Sequence, residues 1–342
     1  MRRKDAESGQ VKHMKNKGNV ILAAIIMVPF ILLISFLSVR GAQGNDGTME
    51  FVMFGSASLK NIIELDASEV SELDLIYTSK NLHIYQAEGD QILVKEYLLS
   101  DQENRKAQVT KERKEDGSQK VTITGGKRNA FTFLLIGMGE RIEIYLPKES
   151  LLQLALQTGS GNITKEGDFV LDTERLQVRA GSGNVKWQGA KADILEIKTG
   201  SGNITVNELA GSMELQAGSG NIKAEKISGK LVVNTGSGNI TLEGFMGEGS
   251  AKAGSGNIKV EADQLTGDFD VKTSSGNIRL RLPKSLSFQA ELQTGSGNID
   301  TDFDSSLSYN KKGNEASGLV GDTPVCTIRA EAGSGNVRIV TE

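Results

Sequence analysis

The strongest pattern in the chain is an alternation of apolar and polar residues, interrupted at regular intervals by the phrase Gly-Ser-Gly-Asn. Leu231, Val233 and Thr235 lie on one parity of a strand-like segment before one copy of the phrase. After it, Ile240 and Leu242 resume the alternation on the opposite parity. A period of two indicates a strand with one buried face, and glycine and asparagine tolerate the positive φ of a tight reversal. The phrase is therefore predicted to be a turn between two short strands.

The phrase recurs along the second half of the chain. Its nine copies place asparagines at Asn162, Asn184, Asn203, Asn221, Asn239, Asn257, Asn277, Asn298 and Asn336. Eight spacings result, of which seven lie between 18 and 22 residues and the last is 38. Such a period corresponds to one supersecondary unit per repeat. We therefore predict an all-β fold, a parallel, right-handed β-helix or β-solenoid of about eight rungs.

A second turn in each repeat carries one more apolar residue beside a glycine, as in Leu209 with Gly211 and Ile227 with Gly229. We interpret this apolar residue as an inward-facing corner. Strand, turn, strand and corner then complete one rung.

The residue two positions after each asparagine alternates between threonine and lysine, as in Thr205 and Lys223. Two arrangements of the rung are consistent with this alternation. If one repeat forms one rung, threonines separate the lysines and avoid a destabilising ladder of like charges. If two repeats form one larger rung, the lysines adjoin. The corner residue, which closes an 18-residue coil, favours one repeat per rung.

Outside the repeats, the chain divides by composition and pattern. The predicted segments are a basic tail at 1–17, a transmembrane helix at 18–39, a tether at 40–60, an N-terminal β region that caps the solenoid at 61–150, and the solenoid at 151–342. Strands are expected at 73–77, 82–85, 91–98, 121–124, 131–136 and 142–146. The charged run 101–118 is predicted to be a hairpin tip or loop, and 304–323 a polar loop beside the last rung.

An internal sequence similarity, called the internal echo below, links the two β regions. The segments 144–163 and 280–299 align without gaps and share 12 of 20 residues, including Leu146-Pro147-Lys148 with Leu282-Pro283-Lys284. The N-terminal β region is therefore expected to continue directly into the first rung.

The predicted transmembrane helix determines where the rest of the chain lies. Residues 18–39 contain no charge and, at about 1.5 Å per residue, cover the hydrocarbon core of a bilayer, where Pro29 is tolerated. Six basic residues precede this segment, against two acidic ones. The positive-inside rule then predicts a single-pass cell-membrane protein with a cytoplasmic N-terminus and an extracytoplasmic C-terminal domain. A cleaved signal peptide and a core helix of a soluble domain are the alternatives, but a signal peptide has a shorter apolar region.

The amino-acid composition excludes several classes of protein and kinds of functional site. The chain has 40 Gly, 4 Pro, one Cys and two His, which excludes collagen and proline-rich disorder. Cys326 has no partner for an internal disulfide, and His13 and His83 leave little room for a histidine metal site or a catalytic triad. Beyond residue 40 there remain 32 basic and 41 acidic residues, so nucleic acid is not an expected partner.

The chain resembles the bacterial family of proposed adhesins with β-strand repeats, a domain family of unknown function. Its membrane-anchored members linked to Gram-positive cell-envelope-stress systems are similar as well. The residues that carry the likeness are the run 142–147, the repeated Thr-Gly-Ser-Gly-Asn-Ile that starts at Thr158, and the closing run 332–337. The resemblance implies a β-helix over about residues 60–342. It implies no catalytic residues. Many relatives have Asp where this chain has Asn.

Calcium binding by the turns is one candidate function, because Gly- and Asp-rich β-rolls bind calcium in their turns. Here the period is about twice as long as in those rolls, and the turn offers an asparagine amide without a carboxylate. Stacked asparagine amides can instead hydrogen-bond from turn to turn. We interpret the nine asparagines as a structural turn motif and expect no metal and no cofactor.

A polysaccharide-active enzyme is the second possibility, since β-helices host lyases and hydrolases. The outward positions after each asparagine carry mixed charges at regular spacing, which indicates a solvated face rather than a catalytic site. We predict no enzyme activity. The candidate exposed binding face consists of Lys186, Lys223, Lys259, Glu225, Glu243 and Glu261. Trp187 and Cys326 are expected in the core rather than in a sugar-binding or reactive site.

These observations predict a non-enzymatic, membrane-anchored, extracytoplasmic β-solenoid that acts as an adhesin or surface-binding scaffold. Its expected partners are the lipid bilayer, through residues 18–39, and either a cell-wall polymer or a membrane protein. The alternative is an accessory protein of envelope-stress signalling that contacts a membrane partner in cis.

Overall fold

The computed structural model describes residues 56–115, 117–126, 139–147 and 153–341. The predicted basic tail, the transmembrane helix, most of the tether and the predicted strand at 131–136 lie outside these ranges. No helix within these ranges is long and apolar enough to cross a membrane.

About 69% of the described residues lie in strands. The N-terminal strands are β1 (Ser58–Asp66), β2 (Val70–Tyr77), β3 (Asn81–Gln86), β4 (Gln91–Leu98), β5 (Gln108–Arg113), β6 (Gln119–Thr124), β7 (Arg141–Leu146), β8 (Gln153–Thr158) and β9 (Ile163–Lys165). The repeat strands are β10 (Leu171–Ala180), β11 (Val185–Thr199), β12 (Ile204–Ala217), β13 (Ile222–Thr235), β14 (Ile240–Ser255), β15 (Ile258–Ser275), β16 (Ile278–Leu282), β17 (Phe288–Ser296) and β18 (Ile299–Thr301). The chain ends with β19 (Leu307–Tyr309), β20 (Glu315–Val320), β21 (Cys326–Ser334) and β22 (Val337–Thr341), and it has short 3₁₀ turns at Glu103–Arg105 and Asp304–Ser306.

One repeat forms one rung, as predicted. Ile204 pairs in parallel register with Ile222, which pairs with Ile240 on its other side. Each of the strands β11 to β15 runs from one Gly-Ser-Gly-Asn turn to the next, so it supplies the post-turn part of one rung and the pre-turn part of the following rung. Thr205 therefore lies between Lys186 and Lys223, and the lysines do not adjoin. The right-handedness of the coil stays a prediction.

Eleven parallel rungs stack within the described ranges, rather than about eight. Nine of them carry the phrase, and two further rungs, β2–β3 and β6–β7, lack it. Their pre-turn strands, in stacking order, are β6, β2, β8, β10, the second halves of β11, β12, β13, β14 and β15, then β21 and β17. All 22 strands belong to one sheet, so the β region is continuous from the N-terminal rungs into the repeats.

The C-terminal rung is inserted between two earlier ones. Strand β21 pairs with β15 on one side and with β17 on the other, and β22 lies in the same way between β16 and β18. The long interval between Asn298 and Asn336 is thus the part of the chain that returns from the last rung to the inserted one. The expected polar loop at 304–323 is wrong in part, because it contains β19 and β20, and β20 covers the exposed edge of β17 in antiparallel register.

The N-terminal end uses the same arrangement. Strand β3 lies between β7 and β9, so the β2–β3 rung is enclosed by chain that follows it. Antiparallel strands then cover this end: β5 pairs with β6, β4 with β7 and β1 with β4. Two predictions need correction here. The run 101–118 contains β5, and β1 begins at Ser58, inside the predicted tether.

The internal echo has a structural reason. The segment 144–163 leads from β7 to β9 past the intervening β3, and the segment 280–299 leads from β16 to β18 past the intervening β22. Both copies therefore belong to connections that skip one rung, which another part of the chain occupies.

Apolar side chains fill the interior along the whole stack. The corner residues Leu209, Ile227 and Leu265 are buried, as predicted. Trp187 is 1% exposed and Cys326 7%, which confirms that both belong to the core. A lysine, Lys165, also lies inside, fully buried at a position that pairs with Trp187 on the next rung.

Candidate binding faces

Asparagine side chains form a continuous hydrogen-bonded ladder along the turns. In each neighbouring pair, Oδ1 of one asparagine accepts a hydrogen bond of 2.8 to 2.9 Å from the backbone N–H of the next. The members in stacking order are Asn81, Asn162, Asn184, Asn203, Asn221, Asn239, Asn257, Asn277, Asn336 and Asn298. Asn81 is a tenth member that the sequence analysis missed, because its turn reads Ser79-Lys80-Asn81 without the glycines.

The turn glycines are required by close stacking rather than by positive φ. A Cβ atom on Gly220 would lie 1.7 Å from the carbonyl oxygen of Gly202 in the preceding rung, and one on Gly218 would lie 2.3 Å from that of Gly200. Among the described glycines of the phrase, only Gly335 has a positive φ. The conformational reason given for these glycines was therefore wrong, although the turn itself is where it was expected.

Buried threonine hydroxyls brace every second turn. Thr235 Oγ1 donates to the carbonyl oxygen of Gly220 at 2.8 Å and accepts from the N–H of Gly238 at 3.2 Å. The threonine of one rung alternates with an alanine in the next, and in stacking order the residues are Thr158, Ala180, Thr199, Ala217, Thr235, Ala253, Thr273, Ala332 and Thr294. Four of the five threonine hydroxyls reach into a rung that carries the alanine, and the small alanine side chain leaves the space that they need.

The post-turn strands carry most of the candidate exposed face as an ion-pair network. Lys259 Nζ lies 2.9 Å from a carboxylate oxygen of Glu261 and 3.5 Å from one of Glu243. Lys223 contacts Glu225 and lies 3.7 Å from Glu243. Five of the six predicted face residues are thus brought together.

Lys186 stands apart from this network, since it pairs with Glu166 at 2.6 Å. The hydrogen bond from Lys259 lowers the pKa of Glu261, and the hydrogen bond to Glu225 raises the pKa of Lys223. Both groups are therefore charged at neutral pH. Exposed pairs of this kind contribute little to stability, and they leave the face nearly neutral.

Nearer the C-terminal end, the same column becomes basic. Arg279 pairs in register with Lys259 on one side and with Arg338 on the other, so three cations adjoin at strand spacing. Arg338 has Asp300 at 3.4 Å, whereas Arg279 is exposed. The rule that neutral residues separate the cations fails here.

No group of three or more His, Cys, Asp or Glu side chains within the described ranges is arranged to hold a metal ion. Along the turns, the oxygens that a cation would require already accept hydrogen bonds from backbone N–H groups.

Aromatic side chains gather outside the solenoid at its N-terminal end, which the sequence analysis missed. Tyr85 and Tyr145 occupy paired outward positions of neighbouring rungs, and Tyr97 lies on the capping strand β4. The chain has only five tyrosines, and three are in this group. The signal was present in the sequence, because Tyr85 and Tyr145 have the outward parity of their strands.

Buried charges form a second missed feature. The Glu140 carboxylate contacts Lys80 and Arg105, with 2.9 Å to Arg105 Nη2, and accepts the backbone N–H of Leu99 at 3.0 Å. Lys165 donates to the carbonyl oxygens of Phe169, at 2.6 Å, and of Gln188. These groups lie far apart in sequence or at core parity, so only the folded chain brings them to their partners.

Parallel rungs joined by repeated glycine-asparagine turns define a β-solenoid with capped ends. The family model described as Toastrack DUF4097 matches residues 70–340, and the chain belongs to this family. Among curated proteins, none matches the chain.

Two solved structures resemble parts of the fold. One is a proposed cell adhesion protein from Clostridium sporogenes, with 14% identity, a TM-score of 0.22, and coverage of 82% of this chain and 98% of that one. The other is a proposed adhesin from Bacteroides fragilis, with 16% identity, a TM-score of 0.42, and coverage of 82% and 97% respectively. Likenesses of this size carry no argument about function.

Proposed function

We propose that the chain is a single-pass membrane protein whose residues 18–39 span the bilayer and whose β-solenoid lies outside the cell as a non-enzymatic binding scaffold. In this role it acts as an adhesin or surface-binding protein of the bacterial cell envelope. Its partner is a wall polymer or another envelope protein.

The observation that carries the proposal is the register of outward side chains along the rungs. Thr205, Lys223, Thr241 and Lys259 follow one another on neighbouring strands, each at the same position of its rung. At about 4.8 Å per rung, the eleven described rungs present a face roughly 50 Å long. Such a regular face is suited to many weak contacts with an extended partner.

The neighbouring carboxylates of the post-turn face favour a binding role over glycoside hydrolysis. Glu243 and Glu261 lie on neighbouring rungs, but both are ion-paired, since Lys259 is within 3.5 Å of both and Lys223 lies 3.7 Å from Glu243. A glycosidase needs one of its two carboxyl groups held in the acid form, by a raised pKa. The pKa of Glu261 is lowered instead.

The test is co-sedimentation of the full chain, held in lipid nanodiscs, with purified cell-wall sacculi at low and high salt and with a calcium chelator. Saturable binding above that of empty nanodiscs is expected. A double variant, Thr205→Trp with Thr241→Trp, should weaken binding by blocking the post-turn face. The matched variant Gln216→Trp with Asn234→Trp lies on the pre-turn face and should bind normally. Absence of binding in every condition would refute wall adhesion, and loss on chelation would establish a calcium requirement.

A second candidate is favoured by the six basic residues that precede the apolar segment. They suit a tail against the anionic cytoplasmic leaflet, in an accessory protein of envelope-stress signalling that contacts a membrane partner in cis. This role requires the span and the tail, whereas an adhesin binds through the solenoid alone. Replacing the basic residues of 1–17 with Ser and measuring both the stress response and sacculus binding separates the two roles.

A further inference from the structure

An aromatic surface lies on the post-turn side of the first two rungs. Tyr85 and Tyr145 are paired across β3 and β7, with ring centroids 5.2 Å apart and ring planes at 30°. His83 lies 6.5 Å from Tyr85, and its ring is nearly parallel, at 13°. Tyr85 is 39% exposed. Aromatic rings at outward positions add nothing to the core, so packing does not explain them.

Later rungs carry polar residues at the outward position of Tyr85. These residues are Gln188, Asn207, Glu225 and Glu243. The aromatic surface is therefore a local departure from the repeat, confined to one end of the molecule.

The segment that follows β9 lines a groove together with these tyrosines. Residues 166–170, together with Tyr85, Gln86 and Tyr145, line an open space of about 710 Å³, which lies in the size range of small-ligand sites. Val170 is 39% exposed and extends the apolar lining. Asp168 is exposed and, within the described part of the chain, its carboxylate makes no hydrogen bond or ion pair. The groove thus combines aromatic rings with an amide and two carboxylates, that of Glu166, which is paired with Lys186, and that of Asp168.

The positions of neighbouring cations decide between two ligand chemistries. Aromatic rings beside a carboxylate can attract a cation or can stack on the apolar face of a sugar ring. Lys95 already lies over the ring of Tyr145, at 4.5 Å, and Lys165 over that of Phe169, at 3.8 Å. These positive charges disfavour a cationic ligand. No cation within the described ranges covers Tyr85, whose ring remains available for a neutral ligand.

We propose that this groove binds a neutral saccharide, with one pyranose ring stacked on Tyr85 and its hydroxyls hydrogen-bonded by Gln86 and Asp168. The inference rests on the proposed binding function and names the class of ligand. It places recognition on the first rungs rather than on the charged repeat face.

The hydroxyl of Tyr145 is held in place by a hydrogen bond within its own strand. It donates to Glu143 at 3.0 Å, and Glu143 also accepts from Arg141 Nε at 2.8 Å. Burial and this hydrogen bond raise the pKa of Tyr145 to about 12. Tyr145 therefore stays neutral and fixed across the physiological pH range, and little ordering is needed on binding.

The experiment measures binding of chitotetraose, cellotetraose and maltotetraose, each at millimolar concentration, to the full chain in nanodiscs. Nanodiscs avoid sugar-based detergents. Isothermal titration calorimetry and saturation-transfer difference NMR are suitable readouts, whereas fluorescence of the buried Trp187 is not. At least one saccharide should bind, and Tyr85→Ala should weaken it about tenfold, equivalent to about 1.4 kcal/mol. Tyr85→Phe retains the ring and should bind within about twofold of the original.

Tyr309→Ala is the matched control, since Tyr309 is also 39% exposed but lies near the other end of the stack. It should leave binding unchanged. Failure of all three saccharides to bind, equal binding by Tyr85→Ala, or displacement of the saccharide by tetramethylammonium would each overturn the proposal. Sacculus binding that survives Tyr85→Ala would overturn this site and leave the scaffold function intact. Saccharide binding without sacculus binding would uphold the site and refute wall adhesion.

Discussion

Asn184 Oδ1 accepts a hydrogen bond of 2.8 Å from the backbone N–H of Asn203, while the carbonyl oxygen of Asn203 accepts one of 2.9 Å from the N–H of Val185. The two bonds pair neighbouring rungs as two peptide groups would. The asparagine side chain thus replaces a main-chain carbonyl where the chain turns too sharply for strand pairing. This pairing repeats along the ladder, so the turns are joined in the same direction as the strands.

Asparagine rather than aspartate in the ladder follows from charge. Aspartate would accept the same hydrogen bond, but carboxylates about 4.8 Å apart would repel one another. The triple variant Asn184→Asp, Asn203→Asp, Asn221→Asp should lower the free energy of unfolding at neutral pH by about 1 to 2 kcal/mol. Acid or high salt should restore most of the loss, as measured by thermal unfolding followed by circular dichroism.

Single substitutions provide the control for that triple variant. Asn203→Asp alone keeps the acceptor without adjacent like charges and should be nearly neutral. Asn203→Ala leaves the N–H of Asn221 without its partner and should cost about 1 kcal/mol. A triple variant as stable at neutral pH as the original would contradict the argument from charge.

The second glycine of each phrase should not accept a side chain. In Gly220→Ala the new methyl would lie 1.7 Å from the Gly202 carbonyl oxygen, so two rungs must separate. We expect a loss of about 3 kcal/mol or more in urea unfolding. Gly89→Ala, where no atom lies within 4 Å of the new methyl, serves as the control and should change little. Comparable losses in both variants would show that stacking is not the reason.

The buried Glu140 should make the N-terminal end sensitive to acid. Burial alone would raise its pKa, but hydrogen bonds from Lys80 and the backbone of Leu99, with the charges of Lys80 and Arg105, hold the pKa below its usual value. The contribution of ionised Glu140 to the free energy of unfolding is therefore complete above the unfolded-state pKa of about 4.5. This contribution is lost as the pH falls through the pKa of Glu140 in the folded protein. Glu140→Gln should cost about 3 kcal/mol at neutral pH and flatten the acid limb of the stability curve. Glu103→Gln, at an exposed site in the same region, should leave that limb unchanged.

Lys165 should produce a dependence of the same sign at alkaline pH. Burial lowers the pKa of Lys165 to about 8 from an ordinary value of 10.5. Between these values the unfolded chain binds more protons than the folded chain, so the free energy of unfolding should rise with pH. In Lys165→Met this rise should be smaller, whereas Lys186→Met, on the next rung and exposed, should keep it. Denaturant unfolding at closely spaced pH values measures the difference, and identical slopes in Lys165→Met and the original would contradict the assignment.

The repeat and its rung were predictable because local rules specify both. A parity switch across each phrase placed Ile204 and Val206 inward, and the corner residue Leu209 closed the coil, all of which the structure confirms. The candidate face was predictable for the same reason, since outward parity exposes Lys223 and Glu243. Its ion pairs depend on register, which the alternation of Thr and Lys already indicated.

The groove and the buried charges follow different rules. Tyr85 and Tyr145 are 60 positions apart, and only the insertion of β3 beside β7 makes them neighbours. Glu140 meets Lys80 and Arg105 for the same reason. Contacts between distant segments depend on which strand enters which gap, and a short-period pattern contains no information on that choice.

The alternation of threonine and alanine before the turns separates what the sequence determines from what depends on the tertiary structure. By itself the sequence determined the strand, turn and corner, because each depends on side-chain parity and on glycine at a crowded turn. In chain order the alternation breaks at Thr273 and Thr294, which follow one another without an alanine. In the folded protein Ala332 lies between them, since β21 enters the gap between β15 and β17. Only the tertiary structure decided this, because the unpaired N–H and C=O groups of an open strand edge can pair with any segment that reaches that edge.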